Sequence, residues 1–146
     1  MLKKNKISKL LKISDPFLMI DNLSIRKDKK KSISEKKIKS NDWFFKCHFL
    51  NEPVMPGTLQ IEAMLQSIVT TLYLIDKNEK NKYLITKTNT NFYLKIDKPG
   101  KLSINSEILK NENGFIEAKA FIIYKKRKIS DGNFKFVKFK KFKIKK

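Results

Sequence analysis

The segment CHFLNEPVMPGTLQIEAMLQS, residues 47–67, contains the residue types that proton-transfer chemistry requires. His48 is the only histidine of the chain, and imidazole exchanges protons readily near neutral pH, which suits it to act as a general base. Glu62 lies in an apolar run, where a carboxylate needs either a partner or a chemical role. Together the two groups predict abstraction of a proton next to a carbonyl group. A lone histidine beside aromatic residues is also common as a structural residue, so both interpretations of His48 stay open.

The residues PVMPG, 53–57, add a possible site for the carbonyl oxygen. They precede a predicted helix, and the first backbone N–H groups of a helix have no partner within the helix. Gly57 lets a ligand approach the main chain closely, and the partial positive charge of a helix N-terminus suits a developing oxyanion. The same residues are also compatible with an ordinary helix start.

The helix that must position Glu62 is predicted from Thr58 to Asp76. It is apolar nearly all round, which is typical of a helix enclosed by other structure. A narrow polar stripe with i, i+4 spacing interrupts the apolar surface and consists of Thr58, Glu62, Gln66 and Thr70. The stripe either forms a structural network, in which Gln66 hydrogen-bonds Glu62, or lines a cavity where a carboxylate is needed.

The remaining segments predict strands around this helix. DPFLMIDNLSI (15–25) has the composition of a strand, and the charged residues 27–40 predict a hairpin or strand pair. The second half alternates between apolar and polar residues, with turns predicted at 98–100, 112–114 and 131–132, which indicates an antiparallel meander. At the C-terminus, the side chains predicted to face the core or a sheet edge are Phe134, Phe136, Phe139, Phe142 and Ile144. We therefore expect an α+β fold in a single domain spanning residues 1–146.

Composition restricts the class of protein. The chain has 146 residues, and its 34 Lys+Arg against 14 Asp+Glu give a formal net charge of +20. Such a surface favours polyanions, but the basic residues are spread along the chain and only Arg26 and Arg127 are arginines, which argues against specific nucleic-acid recognition. The single cysteine excludes an internal disulfide and fits a reducing compartment. The basic N-terminus has neither a continuous apolar core nor a cleavage site, so we expect a cytoplasmic protein without a membrane span.

The residues 43–66 resemble the signature of the 3-hydroxyacyl-acyl-carrier-protein dehydratases of the FabZ and FabA types. The family pattern is His-Phe, a short loop, Pro-[Val/Ile]-[Met/Phe]-Pro-Gly, and a helix that carries an acid and then a Gln. Here these positions are His48-Phe49, residues 53–57, Glu62 and Gln66. Weaker similarity covers DPFLMIDNL, NFYLKIDKPGKLSINSEI and YKKRKISDGNFKF. The sequence departs from the pattern at residues 50–52, where Leu-Asn-Glu replaces the usual Pro-Gly-[Lys/Asp], and at Lys101.

The resemblance implies a hotdog fold, in which a curved antiparallel β-sheet wraps a long central helix. It implies that His48 removes a proton from C2 of the acyl chain, and that Glu62 protonates the departing 3-hydroxyl group, with Gln66 orienting it. Gly57 would polarise the thioester carbonyl, and the expected substrate-binding residues are Gly57, Gln66 and Thr58. The implied partner is acyl carrier protein, and the implied assembly is a homodimer or a trimer of dimers in which two subunits share each site. No metal or other cofactor is implied.

Other functions remain as alternatives. The first is a different acyl-thioester activity on the same fold, such as a thioesterase, a coenzyme A-linked hydratase or a dehydratase that also isomerises its product. The second is a basic module that binds nucleic acid without catalysis, which would leave Glu62 unexplained. The third is a degenerate hotdog subunit that keeps the motif only for packing. The expected function is the dehydration of 3-hydroxyacyl-acyl carrier protein to the trans-2-enoyl product in fatty acid biosynthesis.

Overall fold

The computed structural model describes residues 1–140. Along these residues the helices and strands follow one another as β1 (Leu2–Lys3), α1 (Lys4–Leu11), β2 (Asn22–Ile25), β3 (Lys31–Ile38), α2 (Trp43–Cys47), α3 (Gly57–Asp76), β4 (Asn81–Phe92), β5 (Gly100–Glu112), β6 (Phe115–Tyr124) and β7 (Arg127–Lys140). The predicted helix is thus confirmed as α3, which begins one residue earlier than expected because Pro56 serves as its N-cap.

The strands of the described part form one seven-stranded antiparallel sheet in the order β1-β2-β3-β5-β6-β7-β4. Strands β5, β6 and β7 make the predicted meander. Strand β4 does not pair with β5, which follows it in sequence, but joins the far side of β7. It is therefore an edge strand, paired along one side only. Three register shifts interrupt the ladders of the long strands, at Ile85/Lys87, Ile108/Lys110 and Ile122/Ile123.

One face of the sheet packs on α3. Alternate residues of β5, β6 and β7 are buried, because successive side chains of a strand point to opposite faces. The inward positions carry mainly aliphatic and aromatic side chains, among them Leu102, Ile104, Ile116, Ile122, Phe134 and Phe136. On the helix, Ala63, Met64, Ile68 and Leu72 are fully buried. By length and composition α3 could cross a membrane, but here it is the core helix, and the expected central helix within an antiparallel sheet is confirmed.

Polar side chains also contribute to the contact between α3 and the sheet. The hydroxyl of Ser67 lies 2.7 Å from that of Ser34 on β3 and 2.9 Å from that of Ser106 on β5. One turn further along the helix, the hydroxyl of Thr71 lies 2.7 Å from that of Ser32. All five residues are buried. These hydrogen bonds fix the rotation of α3 against β3 and β5, and with it the direction in which the Glu62 side of the helix faces.

One predicted turn and the start of one predicted strand were wrong. No turn forms at Asp131-Gly132, which lies within β7; the β6–β7 turn is at Lys125-Lys126, both with positive φ. Gly132 serves packing instead, since an added Cβ would lie 2.7 Å from Cζ of Phe134. The predicted strand 15–25 begins only at Asn22.

Two further differences concern the ends of the chain. Helix α1 was not predicted, and it contacts α3 through a short amphipathic segment whose buried residue is Ile7. At the C-terminus, Phe134 and Phe136 are buried as predicted, whereas Phe139 is only partly buried. The predictions for Phe142 and Ile144 lie outside the described residues.

Candidate active site

His48 directly follows the short helix α2, which is anchored in the core by the buried side chains of Phe44 and Phe45. Its backbone N–H donates to the carbonyl oxygen of Phe44 at 3.0 Å. The imidazole is partly buried, and Nδ1 lies 2.9 Å from the carbonyl oxygen of Val54. A carbonyl oxygen only accepts, so Nδ1 carries the proton in this hydrogen bond. In the neutral ring, Nε2 is then the nitrogen that can accept a proton.

The loop between His48 and α3 is held by main-chain hydrogen bonds. Val54 returns the contact with His48, because its N–H donates to the His48 carbonyl oxygen at 2.7 Å. Phe49 and Glu52 form two main-chain hydrogen bonds with each other. The Phe49 N–H lies 2.9 Å from the Glu52 carbonyl oxygen, and the Glu52 N–H lies 3.2 Å from the Phe49 carbonyl oxygen. These bonds close the segment 50–52, where the sequence differs from the family pattern. Met55 is buried and donates to the carbonyl oxygen of Ile96 at 2.8 Å. The loop therefore fixes His48 relative to the first turn of α3.

Gly57 is the first residue of α3. Within residues 1–140, the backbone N–H groups of Gly57 and Thr58 have no hydrogen-bond acceptor, as expected for the first turn of a helix. A Cβ added to Gly57 would lie 3.0 Å from Cε1 of Phe92, so the glycine lets this ring approach the helix start. The side chain of Thr58 is exposed and makes no hydrogen bond among the described residues. The geometry therefore gives Thr58 no partner that supports a binding role.

Glu62 and Gln66 are paired on α3. Nε2 of Gln66 donates to Oε1 of Glu62 at 2.9 Å, while Glu62 is partly buried and Gln66 is buried. Thr70, the last member of the polar stripe, donates its hydroxyl to the Gln66 main-chain carbonyl at 2.7 Å and is thereby satisfied within the helix. The two interpretations of the polar stripe therefore apply to different residues. Thr70 has a structural hydrogen bond, whereas Glu62 and Gln66 line a cavity.

The cavity beside Glu62 has a volume of about 290 Å³. Its wall along α3 runs from Glu62 to Tyr73, a distance of roughly 16 Å at the rise of an α-helix. The rest of the wall comes from three other elements of the chain and includes Leu11, Ile13, Lys82, Tyr83, Leu84, Ile85, Phe136 and Phe139. His48 is not part of this wall, so the cavity of a single chain holds the acid without the histidine.

The far end of the cavity is formed by Tyr73 and Tyr83, whose rings pack edge to face at 5.1 Å between centroids. Burial, followed by the charge of Glu79, raises the pKa of Tyr73, and burial together with the Asp76 carboxylate raises the pKa of Tyr83. Both phenols are therefore neutral at physiological pH. Tyr73 donates its hydroxyl to the Asn81 carbonyl at 3.0 Å, and Tyr83 donates to the Asp76 carboxylate.

Basic residues occupy the β6–β7 connection, which hydrogen bonds link through the segment before β5 to the loop that precedes α3. The Tyr124 hydroxyl donates to the Lys98 carbonyl oxygen at 2.7 Å, and so joins the β6–β7 turn to the segment before β5. That segment also accepts the Met55 N–H through Ile96. The turn residues Lys125 and Lys126 are exposed, and so are the first two residues of β7, Arg127 and Lys128. We call these four residues the basic turn. Among the described residues no group of three His, Cys, Asp or Glu side chains is placed to share a metal ion.

Two residues near the site were missed by the sequence analysis. Phe92 looks like any other aromatic strand residue, and only the sheet order brings it to the start of α3. Lys36 is one lysine among many, but it lies on the inner face of β3 and is 9% exposed. The position of Lys36 could have been inferred from the alternation of Ser32, Ser34 and Ile38, which are all buried.

Comparison with known proteins places the chain in a family. Residues 13–133 match the model of the FabA-like domain. The 3-hydroxyacyl-acyl-carrier-protein dehydratase FabZ of Geotalea uraniireducens (strain Rf4) is 32% identical over 123 residues, which cover 81% of this chain and 85% of the relative. The protein of the same name from Clostridium botulinum (strain Eklund 17B / Type B) is 33% identical over 113 residues, covering 75% and 80%.

Solved structures agree in fold. The dehydratase heterocomplex ApeI:P from Xenorhabdus doucetiae superposes with a TM-score of 0.73 at 13% identity, covering 94% of this chain and 91% of that one. A mutant thioesterase from Pseudomonas aeruginosa gives a TM-score of 0.72 at 9% identity, covering 94% of both chains. At such low identity these structures establish the hotdog fold alone. The sequence relatives carry the assignment further: the chain belongs to the FabA-like family, in which it is a FabZ-type hotdog dehydratase.

Proposed function

We propose that the chain dehydrates 3-hydroxyacyl-acyl carrier protein to the trans-2-enoyl product in fatty acid biosynthesis, with His48 as the base and Glu62 as the acid. The enzyme class is that of its FabZ relatives, the hydro-lyases. The observation that carries the assignment of residues is the pair Glu62–Gln66 on the wall of an otherwise largely apolar cavity. An acyl chain suits the apolar wall, and a carboxylic acid at one end of it suits the 3-hydroxyl group.

His48 and Glu62 together account for every proton that the dehydration moves. Nε2 of His48 takes the proton from C2, and the electrons of the C2–H bond form the C2=C3 double bond. The C3–O bond breaks, and the hydroxyl group leaves as water with the proton of Glu62. His48 is then protonated and Glu62 ionised, and proton transfer between them through solvent restores the starting state. Since the proton is lost next to a thioester carbonyl, stabilisation of the developing oxyanion lowers the barrier.

The start of α3 can supply that stabilisation. The N–H of Gly57 has no acceptor among the described residues and lies at the positive end of a 20-residue helix. We assign the thioester carbonyl oxygen to this N–H group. The Thr58 N–H is similarly placed, so its role is that of a main-chain donor rather than of a hydroxyl.

The site is completed by a second copy of the chain, in a homodimer that can assemble further into a trimer of dimers. The cavity beside Glu62 is not lined by His48, which leaves the acid without its base in one chain. Strand β4 has an unpaired edge, and Leu84, Ile85 and Phe92 on it are between 42% and 55% exposed. Pairing of β4 with its copy would cover these side chains and bring His48 of one subunit towards Glu62 of the partner subunit.

Acyl carrier protein is the proposed partner that delivers the substrate. It is an acidic protein, and the basic turn lies next to the loop that leads to Gly57. Long-range attraction between unlike charges accelerates such encounters. We place the reaction in the cytoplasm, where the single exposed thiol of Cys47 stays reduced.

The function is tested by incubating the protein with 3-hydroxyacyl-acyl carrier protein of several chain lengths and following the loss of water by mass spectrometry. The parent protein is expected to form the enoyl product, and folded His48→Ala and Glu62→Gln variants are expected to be inactive. Turnover that survives either substitution would move the chemistry to other residues. Absence of turnover in the parent protein at every chain length would leave Glu62 a structural acid.

A further inference from the structure

The side-chain amide of Gln66 is held in one orientation by the main chain of the segment before β2. The N–H of Met19 donates to Oε1 of Gln66 at 2.7 Å, and Nε2 of Gln66 donates to the carbonyl oxygen of Phe17 at 2.9 Å. An N–H group can only donate and a carbonyl oxygen can only accept, so these two contacts decide which end of the amide is oxygen. Gln66 is 2% exposed, and water therefore offers it little alternative.

This orientation has a consequence for Glu62. The amide nitrogen carries two hydrogens, and the one that does not bond Phe17 points to Oε1 of Glu62 at 2.9 Å. Oε1 must therefore accept a hydrogen bond whether Glu62 is ionised or protonated. When Glu62 is protonated, this hydrogen bond favours the proton on Oε2, because the carbonyl oxygen of a carboxylic acid is a stronger acceptor than its hydroxyl oxygen.

The segment that orients Gln66 is itself tied to the sheet. Nζ of Lys36 donates to the carbonyl oxygen of Leu18 at 3.1 Å and lies 3.5 Å from Oδ1 of Asp21. Consecutive residues Phe17, Leu18 and Met19 are thus bound by one side chain from α3 and one from β3. The proposed chemistry gives the buried ammonium group of Lys36 no role, so we ask what its contact with Leu18 does.

We propose that Lys36 and the segment 17–19 act as a positioning device for the acid: they lock the Gln66 amide as a donor to Oε1 of Glu62 and so make Oε2 the oxygen that delivers the proton. The inference rests on the proposed function, because it takes Glu62 as the acid. Lys36 is a positioning residue. Gln66, which the resemblance placed among the substrate-binding residues, is proposed here to act through Glu62 as a positioning residue as well. Loss of the lock lets the carboxyl group rotate, so that its proton no longer has one fixed position in the cavity.

The kinetic test compares two buried glutamines of the same helix. Gln66→Met removes the lock, whereas Gln60→Met is the matched control, because Gln60 is 3% exposed and its Oε1 has no hydrogen-bond partner within the described residues. For Gln66→Met we expect kcat to fall about 10- to 100-fold, as for other supporting residues of active sites, with KM nearly unchanged. Gln60→Met should keep the kcat of the parent. Lys36→Met, which leaves Gln66 in place, should lower kcat by about 2- to 10-fold.

The outcomes separate this inference from the proposed function. If the parent protein is active and Glu62→Gln is not, while Gln66→Met keeps the kcat of the parent, the function stands and the positioning role is overturned. A rise in KM with kcat unchanged would also overturn the positioning role, because it would indicate an ordinary defect in binding or folding. If the parent protein itself does not turn over, the proposed function falls, and this inference falls with it.

A second measurement does not depend on Gln66 variants folding. In protein labelled with ¹⁵N-glutamine, the two Nε2 hydrogens of Gln66 are expected to exchange slowly with water, since both are hydrogen-bonded. Glu62→Ala removes the acceptor of one of them, so one resonance should shift and exchange faster while the hydrogen bonded to Phe17 keeps its protection. Unchanged signals, or equal loss of protection at both, would contradict the orientation.

Discussion

Gly57 and Phe92 touch across two elements that are far apart in sequence: a Cβ added to Gly57 would lie 3.0 Å from Cε1 and 3.1 Å from Cζ of the Phe92 ring. The ring comes from the edge strand β4 and is 49% exposed. It therefore covers the first turn of α3 from the side on which the proposed partner subunit lies. The glycine is required for this approach and not for its backbone conformation, because its φ is not positive.

Gly57→Ala is expected to lower kcat/KM by about 10- to 100-fold. This is less than the roughly 100- to 1000-fold found when a donor to an oxyanion is removed, because alanine keeps its backbone N–H. The added methyl group pushes the Phe92 ring aside and fills the space in which the thioester approaches the main chain. The measurement is steady-state kinetics on 3-hydroxyacyl-acyl carrier protein. The double variant Gly57→Ala/Phe92→Ala removes the clash with the ring. If the double variant regains full activity, the methyl group acted only through Phe92, and the thioester does not approach the main chain at Gly57.

Reversing charge on the basic turn is expected to weaken delivery of the substrate. For Lys125→Glu/Lys126→Glu we expect KM for acyl-acyl carrier protein to rise roughly 10-fold at low salt, because attraction to an acidic partner becomes repulsion. The effect should shrink as salt is added. A small thioester substrate without the carrier protein should show no change, since it has no acidic surface.

The control for the basic turn uses the opposite end of the sheet. Lys27 and Lys29 are exposed residues of the β2–β3 connection. This connection leads to Lys31, which lies opposite Glu107 of β5, whereas the basic turn follows Tyr124, which lies opposite Leu102 near the other end of β5. Lys27→Glu/Lys29→Glu makes the same change in net charge. An equal rise of KM in this variant would show that total charge matters and the position of the basic turn does not.

Asp76 is expected to stabilise the fold in a pH-dependent way. It is the last residue of α3 and receives hydrogen bonds from Tyr83, from Asn111 at 3.3 Å and from Lys138 at 3.2 Å. Burial alone would raise its pKa, but the hydrogen bonds from Tyr83 and Lys138 outweigh burial and lower the pKa below its ordinary value. Asp76→Asn should therefore reduce the free energy of unfolding at neutral pH, by about 1–3 kcal/mol.

The sign of the pH dependence follows from the lowered pKa. The contribution of Asp76 is fully present above the pKa of an unfolded aspartate and is lost as pH falls through the lower pKa of the folded state. Urea titrations at neutral and acid pH should show the parent and Asp76→Asn converging as pH decreases. Glu112→Gln, a change at an exposed carboxylate on β5, is the control. Its free energy of unfolding should change between the two pH values by the same amount as that of the parent. A constant gap between parent and Asp76→Asn would contradict the account.

The parts of the fold that could be predicted are those with a local signal. The helix 57–76 is a long apolar segment after Pro-Gly, and β5 and β6 alternate between buried and exposed residues around the turn Asn113-Gly114. The turn at Lys125-Lys126 has no such signal, because both lysines adopt positive φ without glycine or asparagine. Asp131-Gly132 has the composition of a turn but lies in β7, where the glycine makes room for the Phe134 ring.

For the site, the sequence indicated residue types and could not indicate distant partners. The spacing of Glu62 and Gln66 left open whether they bond each other in a structural network or line a cavity, and in the structure they do both. The bonds from Gln66 to Phe17 and Met19 join residues 49 and 47 positions apart, so they depend on how the segment before β2 folds. That segment was predicted as a strand, but it pairs with no strand at residues 17–19. The N–H groups of Phe17 and Leu18 donate to the Ser14 carbonyl oxygen, and the other hydrogen bonds of this stretch go to the side chains of Gln66 and Lys36.

The most direct test of the central claim is the activity of a mixed dimer in which one subunit carries His48→Ala and the other Glu62→Gln. The two variants are produced together with different affinity tags, and the mixed species is isolated by two successive purifications. If His48 of one subunit works with Glu62 of the partner subunit, each mixed dimer keeps one intact site and dehydrates 3-hydroxyacyl-acyl carrier protein, although neither variant alone does. An inactive mixed dimer made from two folded variants, or failure of the two chains to associate, would contradict a shared site.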